Sequence, residues 1–388
     1  MNYKIVIFWN QPAALTETFI YNQISNLRRY QAAILGSKWP SGPRIRIDEQ
    51  IVHLINQGGW RGKLHEVQFK VWGQIPATIR QWLDTWQPAL IHAHVAPYGA
   101  IAMPIAQRYR LPLLVSVHGS DVTMRDAAIW RSSYMSHRLY LLRRRQLVRT
   151  TTRVIVQSHF LHRILIEQHG FDPAQIVCIR YGVDLDRFRP TANPEWGHIL
   201  YVGRLIERKG LPYLLTALAK LQTDFPALRL TVIGDGPLRS RYEELARQVL
   251  GSRVTFMGAQ SNTVVQEYLQ RAYVFCMPSI TMPTGEAESL GVVFLEAMAM
   301  GVPPVSFASG GIPEVIRHSE TGFLATERNT DELAYYLGLL LEQPALRNKF
   351  GEEGRRWVEQ EFNLNTQTAK LEALYDEVIA EHIQKSVL

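Results

Sequence analysis

Only two cysteines, Cys178 and Cys276, occur in the 388 residues. They are too few for a disulfide framework, and neither stands at a metal-ligand spacing. Cys276 sits in an apolar strand pattern and reads as a buried thiol, which fits a reducing cytoplasm. No apolar run approaches the roughly 18 residues of a membrane span. The opening run Ile5 to Trp9 is too short for a signal-peptide core, and no small-residue cleavage site follows it. Internal repeats and low-complexity tracts are also lacking. The turn after that run, Asn10-Gln11-Pro12-Ala13-Ala14-Leu15, contains no glycine. A dinucleotide fingerprint needs glycines there, so a nicotinamide enzyme is disfavoured. No Gly-Lys-Ser/Thr triplet occurs anywhere, so there is no Walker A loop.

What the chain does have is length and a soluble globular composition. At 388 residues two domains are expected, and 46% hydrophobic with 20% charged residues is ordinary for such domains. The net charge of +7 hides a division. Residues 1–185 hold 22 basic and 10 acidic side chains, the remainder 20 and 25, giving +12 and −5. A basic first half points to an anionic partner, either nucleic acid or an anionic membrane surface.

Strand and helix patterns alternate along the first half. Lys4 to Trp9, Ala32 to Leu35, Ile51 to Leu54, Leu90 to His94 and Leu113 to Val117 read as strands. Helical patterns start at Thr16-Glu17, cover about Gly62 to Gln81, and run from Pro104 to Tyr109. Such alternation predicts an α/β fold with parallel sheets, whose ligands gather at the carboxyl ends of strands. His94, His118 and Asp121 fall at such ends. His92 reads as a packed, hydrogen-bonded side chain, and His92-Ala93-His94 lacks a third ligand, so no metal site is expected. The stretch Trp130 to Arg153 carries Arg131, Arg138, Arg143, Arg144, Arg145, Arg149 and Arg153 among Tyr134, Tyr140, Leu141 and Leu142. It suits adsorption to anionic lipid, or else a solvated helix face with snorkelling stems. Trp60, Trp72, Trp82 and Trp86 are either interfacial anchors or core.

Arg180 to Pro190 is polar and proline-bearing and reads as the interdomain linker, and its Asp184-Leu185-Asp186 reads as structural. The alternation then resumes. Strand His198 to Val202 leads to Gly203-Arg204-Leu205-Ile206-Glu207-Arg208-Lys209-Gly210, a glycine loop with Arg204 and Lys209 placed to clamp a diphosphate. Strand Leu230 to Ile233 ends in Gly234-Asp235-Gly236-Pro237, and strand Val254 to Met257 ends at Gly258. Val274 to Met277 runs into a loop bearing Glu286 and Glu288, after which Gly291 opens a short apolar helix ending at Gly301. Exposed amides at such a helix start can hold a phosphate, while Glu288 and Glu296 can accept hydroxyl protons from sugar rings on either side. The same stretch also reads as an acidic surface loop before a core helix.

These motifs, taken in order, resemble the retaining glycosyltransferases of family four, of the GT-B class. The resemblance covers nearly the whole chain. It rests on Gly203-Arg204-Leu205 with Lys209-Gly210, Gly234-Asp235-Gly236-Pro237, Pro278-Ser279, the Glu288 and Glu296 pair, and Ser309-Gly310-Gly311-Ile312-Pro313-Glu314. His118-Gly119-Ser120-Asp121 and Thr16-Glu17-Thr18-Phe19-Ile20 add to it, and the latter is reminiscent of the branch that builds exopolysaccharide repeats on lipid carriers. The resemblance implies two Rossmann-like doubly wound domains facing across a cleft, over residues 1–185 and 186–362. It also implies a final helix, 363–388, crossing back to the first domain. The second domain would hold a UDP- or GDP-sugar as substrate, with no cofactor and no metal. Arg204 and Lys209 would bind its diphosphate, Glu296 the ribose, and Glu288 the transferred sugar. Gly203, Gly234, Gly291, Val292 and Val293 would approach the donor by their backbone, and Met257 would lie near the base. His118, Glu288, Arg204 and Lys209 are the catalytic candidates, and Glu17, His94 and Asp121 the acceptor-binding ones.

Two positions depart from the family pattern. Pro12-Ala13-Ala14 stands where relatives carry paired glycines, and Tyr181 replaces the asparagine usual before Gly-Val-Asp. The expectation is a hexosyltransferase, peripheral on the cytoplasmic membrane face, acting on a lipid-linked sugar, glycolipid or saccharide acceptor, and binding no nucleic acid. The alternatives are a sugar-nucleotide epimerase or glycogen-type phosphorylase of the same fold, and a nucleic-acid binder using the basic half.

Overall fold

The computed structural model describes residues 3–14, 17–42, 44–190 and 194–387. Leu15 and Thr16, the end of the first turn and the expected helix start, lie outside them. The chain divides into two compact units, residues 1–182 with 364–388, and residues 183–363. The first boundary thus falls three residues before the expected 185.

The first unit is built on seven strands: β1 (Tyr3–Phe8), β2 (Tyr30–Gly36), β3 (Val52–Leu54), β4 (Leu90–His94), β5 (Leu113–Ser116), β6 (Thr151–Val156) and β7 (Ile176–Cys178). All pair in parallel, in the order β3-β2-β1-β4-β5-β6-β7. Parallel strands are covered on both faces, which is why these segments read as continuous apolar runs. On one face Val6, Phe8, Ile91 and Val115 pack under the helices between strands. On the other, Ile5, Ile7 and Leu114 pack against Leu371, Leu374, Tyr375, Val378 and Ile379. Those five residues come from the C-terminal helix, Leu364–Val387. Polar contacts fasten the same helix: Glu372 Oε1 accepts the amides of Arg28 and Arg29 at 2.7 Å each, and the Tyr375 hydroxyl meets His92 Nδ1 at 2.7 Å.

Two expectations need revision here. The helical stretch 62–81 is two helices, Gly59–Trp72 and Ala77–Trp86, because Gly73 closes the first and Pro76 precedes the second. Strand β6 was hidden by the arginine-rich run, into which Arg153 was absorbed.

The second unit has six strands: β8 (His198–Val202), β9 (Arg229–Ile233), β10 (Val254–Gly258), β11 (Val274–Cys276), β12 (Pro304–Phe307) and β13 (Phe323–Ala325). They too are parallel, in the order β10-β9-β8-β11-β12-β13. In each sheet the order reverses beside the first strand, between β1 and β4 and between β8 and β11. Ligands of such sheets lie beyond the carboxyl ends at that reversal. Among the described residues, no helix is long and apolar enough to cross a membrane.

Candidate active site

At the carboxyl end of β8 the chain makes a short 3-10 turn, Glu207–Lys209, closed by Gly210, which sets Arg208 and Lys209 side by side. Both reach Glu288. Lys209 Nζ lies 2.9 Å from Glu288 Oε1, and the Arg208 guanidinium donates to that same oxygen. Arg208 also donates to the Ala287 carbonyl at 3.2 Å. Glu288 is only 7% exposed. Burial alone would raise its pKa, but the charges of Lys209 and Arg208 win and hold it down at about 2. Burial draws the Lys209 ammonium down, against the pull of Glu288. Two cations on one carboxylate leave a surplus positive charge in a poorly hydrated place.

The loop carrying Glu288 is pinned from behind. Its carbonyl accepts the Gly311 amide at 2.9 Å. At Gly310, with φ of 57°, a Cβ would stand 2.3 Å from that carbonyl, so no larger residue fits. Gly291, with φ of 78°, caps the helix Val292–Ala299, and a Cβ there would come 3.6 Å from Glu288 Oε2. The first-turn amides of Val292 and Val293 are among those a helix leaves without intrahelical acceptors. One turn on, part-buried Glu296 has its pKa pushed up to about 7 by burial, against the charge of Arg187.

The remaining donor candidates are placed less closely. Arg204 is exposed, and its charge is felt by Lys209 without a direct contact to Glu288. Gly203 and Gly234 abut, a Cβ on Gly234 standing 1.9 Å from the Gly203 carbonyl. Met257 lies at the end of β10, where its carbonyl accepts Gln260 Nε2 at 2.6 Å. The Asp184-Leu185-Asp186 sequence forms a local turn, Asp184 Oδ1 accepting the amides of Asp186 and Arg187 at 3.0 and 3.1 Å. Arg208 had no role in the sequence reading, although its place beside Lys209 in the loop was the signal. Among the described residues, no group of three His, Cys, Asp or Glu is placed to hold a metal ion.

In the first unit, His94 at the end of β4 and His118 beyond β5 meet, Nδ1 to Nε2, at 3.2 Å. His118 Nδ1 lies 2.6 Å from the Tyr181 hydroxyl. His92 is packed and paired as expected, to Tyr375 and to Ser116 Oγ, each at 2.7 Å. Burial holds His92 and His118 down at about 3, so both are neutral near pH 7. Glu17 accepts the Trp9 indole N–H and is raised by burial. The Asp121 carboxylate is taken up by backbone amides. Its Oδ1 accepts the amides of His118 and Gly119 at 3.0 and 2.8 Å, and its Oδ2 that of Ala96 at 2.9 Å. It ties the ends of β4 and β5 together.

The arginine-rich stretch is also largely spoken for. Arg143 donates to the carbonyls of Lys70, Val71 and Ala100, and Arg144 makes a two-pronged pair with Asp126 at 2.7 and 2.8 Å. Arg153 pairs with Glu377 and Glu381, Arg138 caps the carbonyls of Trp130 and Ser132, and Tyr140 is buried against His169. The same stretch exposes Trp130, Tyr134, Met135 and Leu142, and a second group of exposed apolar residues lies on another helix. Trp60, Leu64 and Val67 lie at helical spacing on Gly59–Trp72, with Trp72 at its end and Leu142 on the arginine helix.

Comparison with known proteins agrees with this fold. Residues 183–357 match the family profile described as Glycosyl transferases group 1, and residues 16–187 that described as Glycosyltransferase Family 4. Among curated relatives, glycogen synthase from Mycobacterium tuberculosis is 29% identical over 73% of this chain and 67% of its own length. The GDP-mannose-dependent α-(1-6)-phosphatidylinositol monomannoside mannosyltransferase of the same organism is 34% identical over 52% of this chain and 56% of its own. The chain therefore spans between about half and two thirds of these relatives' lengths. Sucrose-phosphate synthase from Thermosynechococcus elongatus superposes with a TM-score of 0.79 over 98% of this chain and 100% of that one, at 22% identity, and so shares the fold. Both matching profiles, each on its own sheet, place this chain among the family-four glycosyltransferases of the GT-B fold.

Proposed function

We propose that the protein moves a hexosyl group from a UDP- or GDP-sugar to a hydroxyl of a lipid-linked sugar or glycolipid, with retention at the anomeric carbon and no metal. The observation that carries this reading is the buried Arg208–Lys209–Glu288 cluster, in the same unit as the helix start at Val292. As the sugar departs, negative charge grows on the diphosphate. Cations and amides fixed in a poorly hydrated site stabilise that charge more than the ground state, which lowers the barrier. Arg208 Nε, buried and without a partner among the described residues, is a further donor for a phosphate oxygen. Arg204, exposed in the same loop, supplies another charge. Glu288 Oε1 is occupied by its cations, so Oε2 would accept from the transferred sugar, and Glu296 would accept from the ribose. With Glu288 so engaged, front-face attack, in which the leaving phosphate takes the acceptor proton, is a better account than a glutamate nucleophile.

The mannosyltransferase relative acts on phosphatidylinositol monomannoside, a glycolipid, which supports the acceptor class. An anionic membrane surface is the proposed partner of the first unit. Its contact would be made by exposed apolar side chains, Trp60, Leu64 and Val67 on one helix and Trp130, Tyr134, Met135 and Leu142 in the arginine-rich stretch. A melting-temperature panel tests the central reading. UDP, GDP and their sugars should raise the transition by several degrees, and polynucleotide should not. Stabilisation by polynucleotide alone would favour the nucleic-acid binder instead.

A further inference from the structure

A cavity of about 580 Å³ opens at the edge of the first sheet, beyond the carboxyl ends of β2 and β3. That volume lies in the range of small-molecule sites. Lys38 and Trp39 line it after β2, Asn56 and Gln57 after β3, and His53 and Trp82 from β3 and the helix Ala77–Trp86. Every lining residue belongs to the first unit. In the sheet order, β3 stands three strand steps, roughly 14 Å, from the β4 strand that ends in His94. The cavity is thus separate from the His94 and His118 pair.

Its walls are flat rings held from behind. His53 stacks on Trp82 with centroids 4.0 Å apart and planes within 23° of parallel, and Trp86 continues the row 6.4 Å beyond Trp82. The Arg44 guanidinium lies 4.3 Å from the Trp39 ring centroid and is itself held by Glu49 at 2.8 Å. Rings fixed in advance lose little freedom when a ligand settles on them. Among the described residues, the side chains of His53, Gln57, Trp39 and Trp82 make no hydrogen bond. Burial lowers the His53 pKa, so its ring is neutral near pH 7, with one nitrogen that donates and one that accepts.

The charged groups nearby are taken up by each other. Glu66 pairs with Lys70 at 2.5 Å and accepts from Asn56 Nδ2 at 2.7 Å, and the charge of Lys38 falls on the same carboxylate. Glu49 is committed to Arg44. What remains for a ligand is neutral: ring faces for C–H surface, beside donors and acceptors for hydroxyls. A phosphate would find no cation among the lining residues but Lys38. We propose that this cavity binds a sugar ring, giving the first unit a saccharide site of its own. The proposal goes beyond the transferase reading, because binding here needs neither donor nor turnover.

Saturation-transfer NMR on the whole chain tests it, with methyl α-glucoside, methyl α-mannoside, maltotriose and α-1,6-mannotriose as probes. At least one should bind saturably at millimolar concentration. His53→Ala and Trp39→Ala should each raise that Kd about ten-fold, the worth of a lost ring contact with its hydrogen bond. Tyr335→Ala, which removes an exposed ring of the second unit, should leave it unchanged. A cooperative melting transition in each variant separates loss of binding from loss of fold. Should His53→Ala not fold, Gln57→Ala, at an exposed position, takes its place. No saturable binding by any of these sugars, or a Kd unmoved by the cavity substitutions, overturns the proposal. So does inorganic phosphate binding where no sugar does, with that binding lost in Lys38→Ala, because the cavity is then an anion site. A failure of UDP, GDP and their sugars to stabilise the protein would sink the transferase reading and leave this result standing.

Discussion

Lys209 and Glu288 stand 2.9 Å apart at the carboxyl end of the second sheet, and Arg208 shares the same carboxylate oxygen from the neighbouring position. The three cations of this loop should therefore respond differently to truncation. Lys209→Ala, Arg208→Ala and Arg204→Ala are each expected to lower kcat by about 100-fold, as loss of one fixed stabilising group does. Lys209→Ala and Arg208→Ala should also lower the melting temperature, because each leaves buried Glu288 with one cation fewer. Arg204 is exposed, so its truncation should leave the melting temperature alone. Near-normal turnover in Arg204→Ala or Lys209→Ala would remove the diphosphate clamp.

Glu296 gives the site a pH dependence with a definite sign. Its pKa is pushed up to about 7 by burial, so below neutrality it is a neutral acid and above it a carboxylate. On the proposed reading ribose hydroxyls would be held by the carboxylate, so donor affinity should improve about ten-fold between pH 6 and 8. Stability of the free protein runs the other way. A carboxyl raised on folding favours the native state below its ordinary pKa of 4.5, and that contribution is lost as pH rises through 7. Titration of donor binding by calorimetry, with Glu296→Gln as control, should show the first trend in the wild type alone.

Asp121 should behave as a brace. Asp121→Ala removes the acceptor from three backbone amides and should cost about 2–4 kcal/mol in urea unfolding. Asp121→Asn should cost less, since an amide oxygen still accepts. Neither should shift acceptor preference among the turnover that remains, and a changed preference would return Asp121 to the ligand-facing residues.

Retention on anionic vesicles at low salt should depend on exposed apolar side chains more than on arginines already paired within the unit. Replacing Trp60, Leu64 and Val67 together by serine should release the protein into the supernatant with its fold intact. Arg143→Ala should instead lower the melting temperature, because it strips the donor from three carbonyls.

The fold was legible because buried parallel strands announce themselves as apolar runs. It was lost where that signal weakened, at Thr151–Val156 inside a basic stretch and at three-residue Phe323–Ala325. The site was legible to the extent that it is local in sequence. Lys209 sits in one glycine loop, and Glu288 and Glu296 flank one helix start. Contacts that join distant positions were not. Arg208 meets Glu288 across 80 residues, and Tyr181 meets His118 across 63. Asp121 shows the reverse case. Its place at a strand end suggested chemistry, while the three amides that occupy it are visible only once the backbone is folded.

The C-terminal helix carries a consequence for how this protein is made. Leu371, Leu374, Tyr375, Val378 and Ile379 form one wall of the first unit's core, yet they leave the ribosome only after the whole second unit. Residues 1–182 emerge with a bare sheet face and must wait, through synthesis of the whole second unit, for that wall to arrive. A stop codon before Leu364 should thus damage the half of the protein made first, and a fragment cut at Gly182 should aggregate where residues 183–363 alone stay in solution.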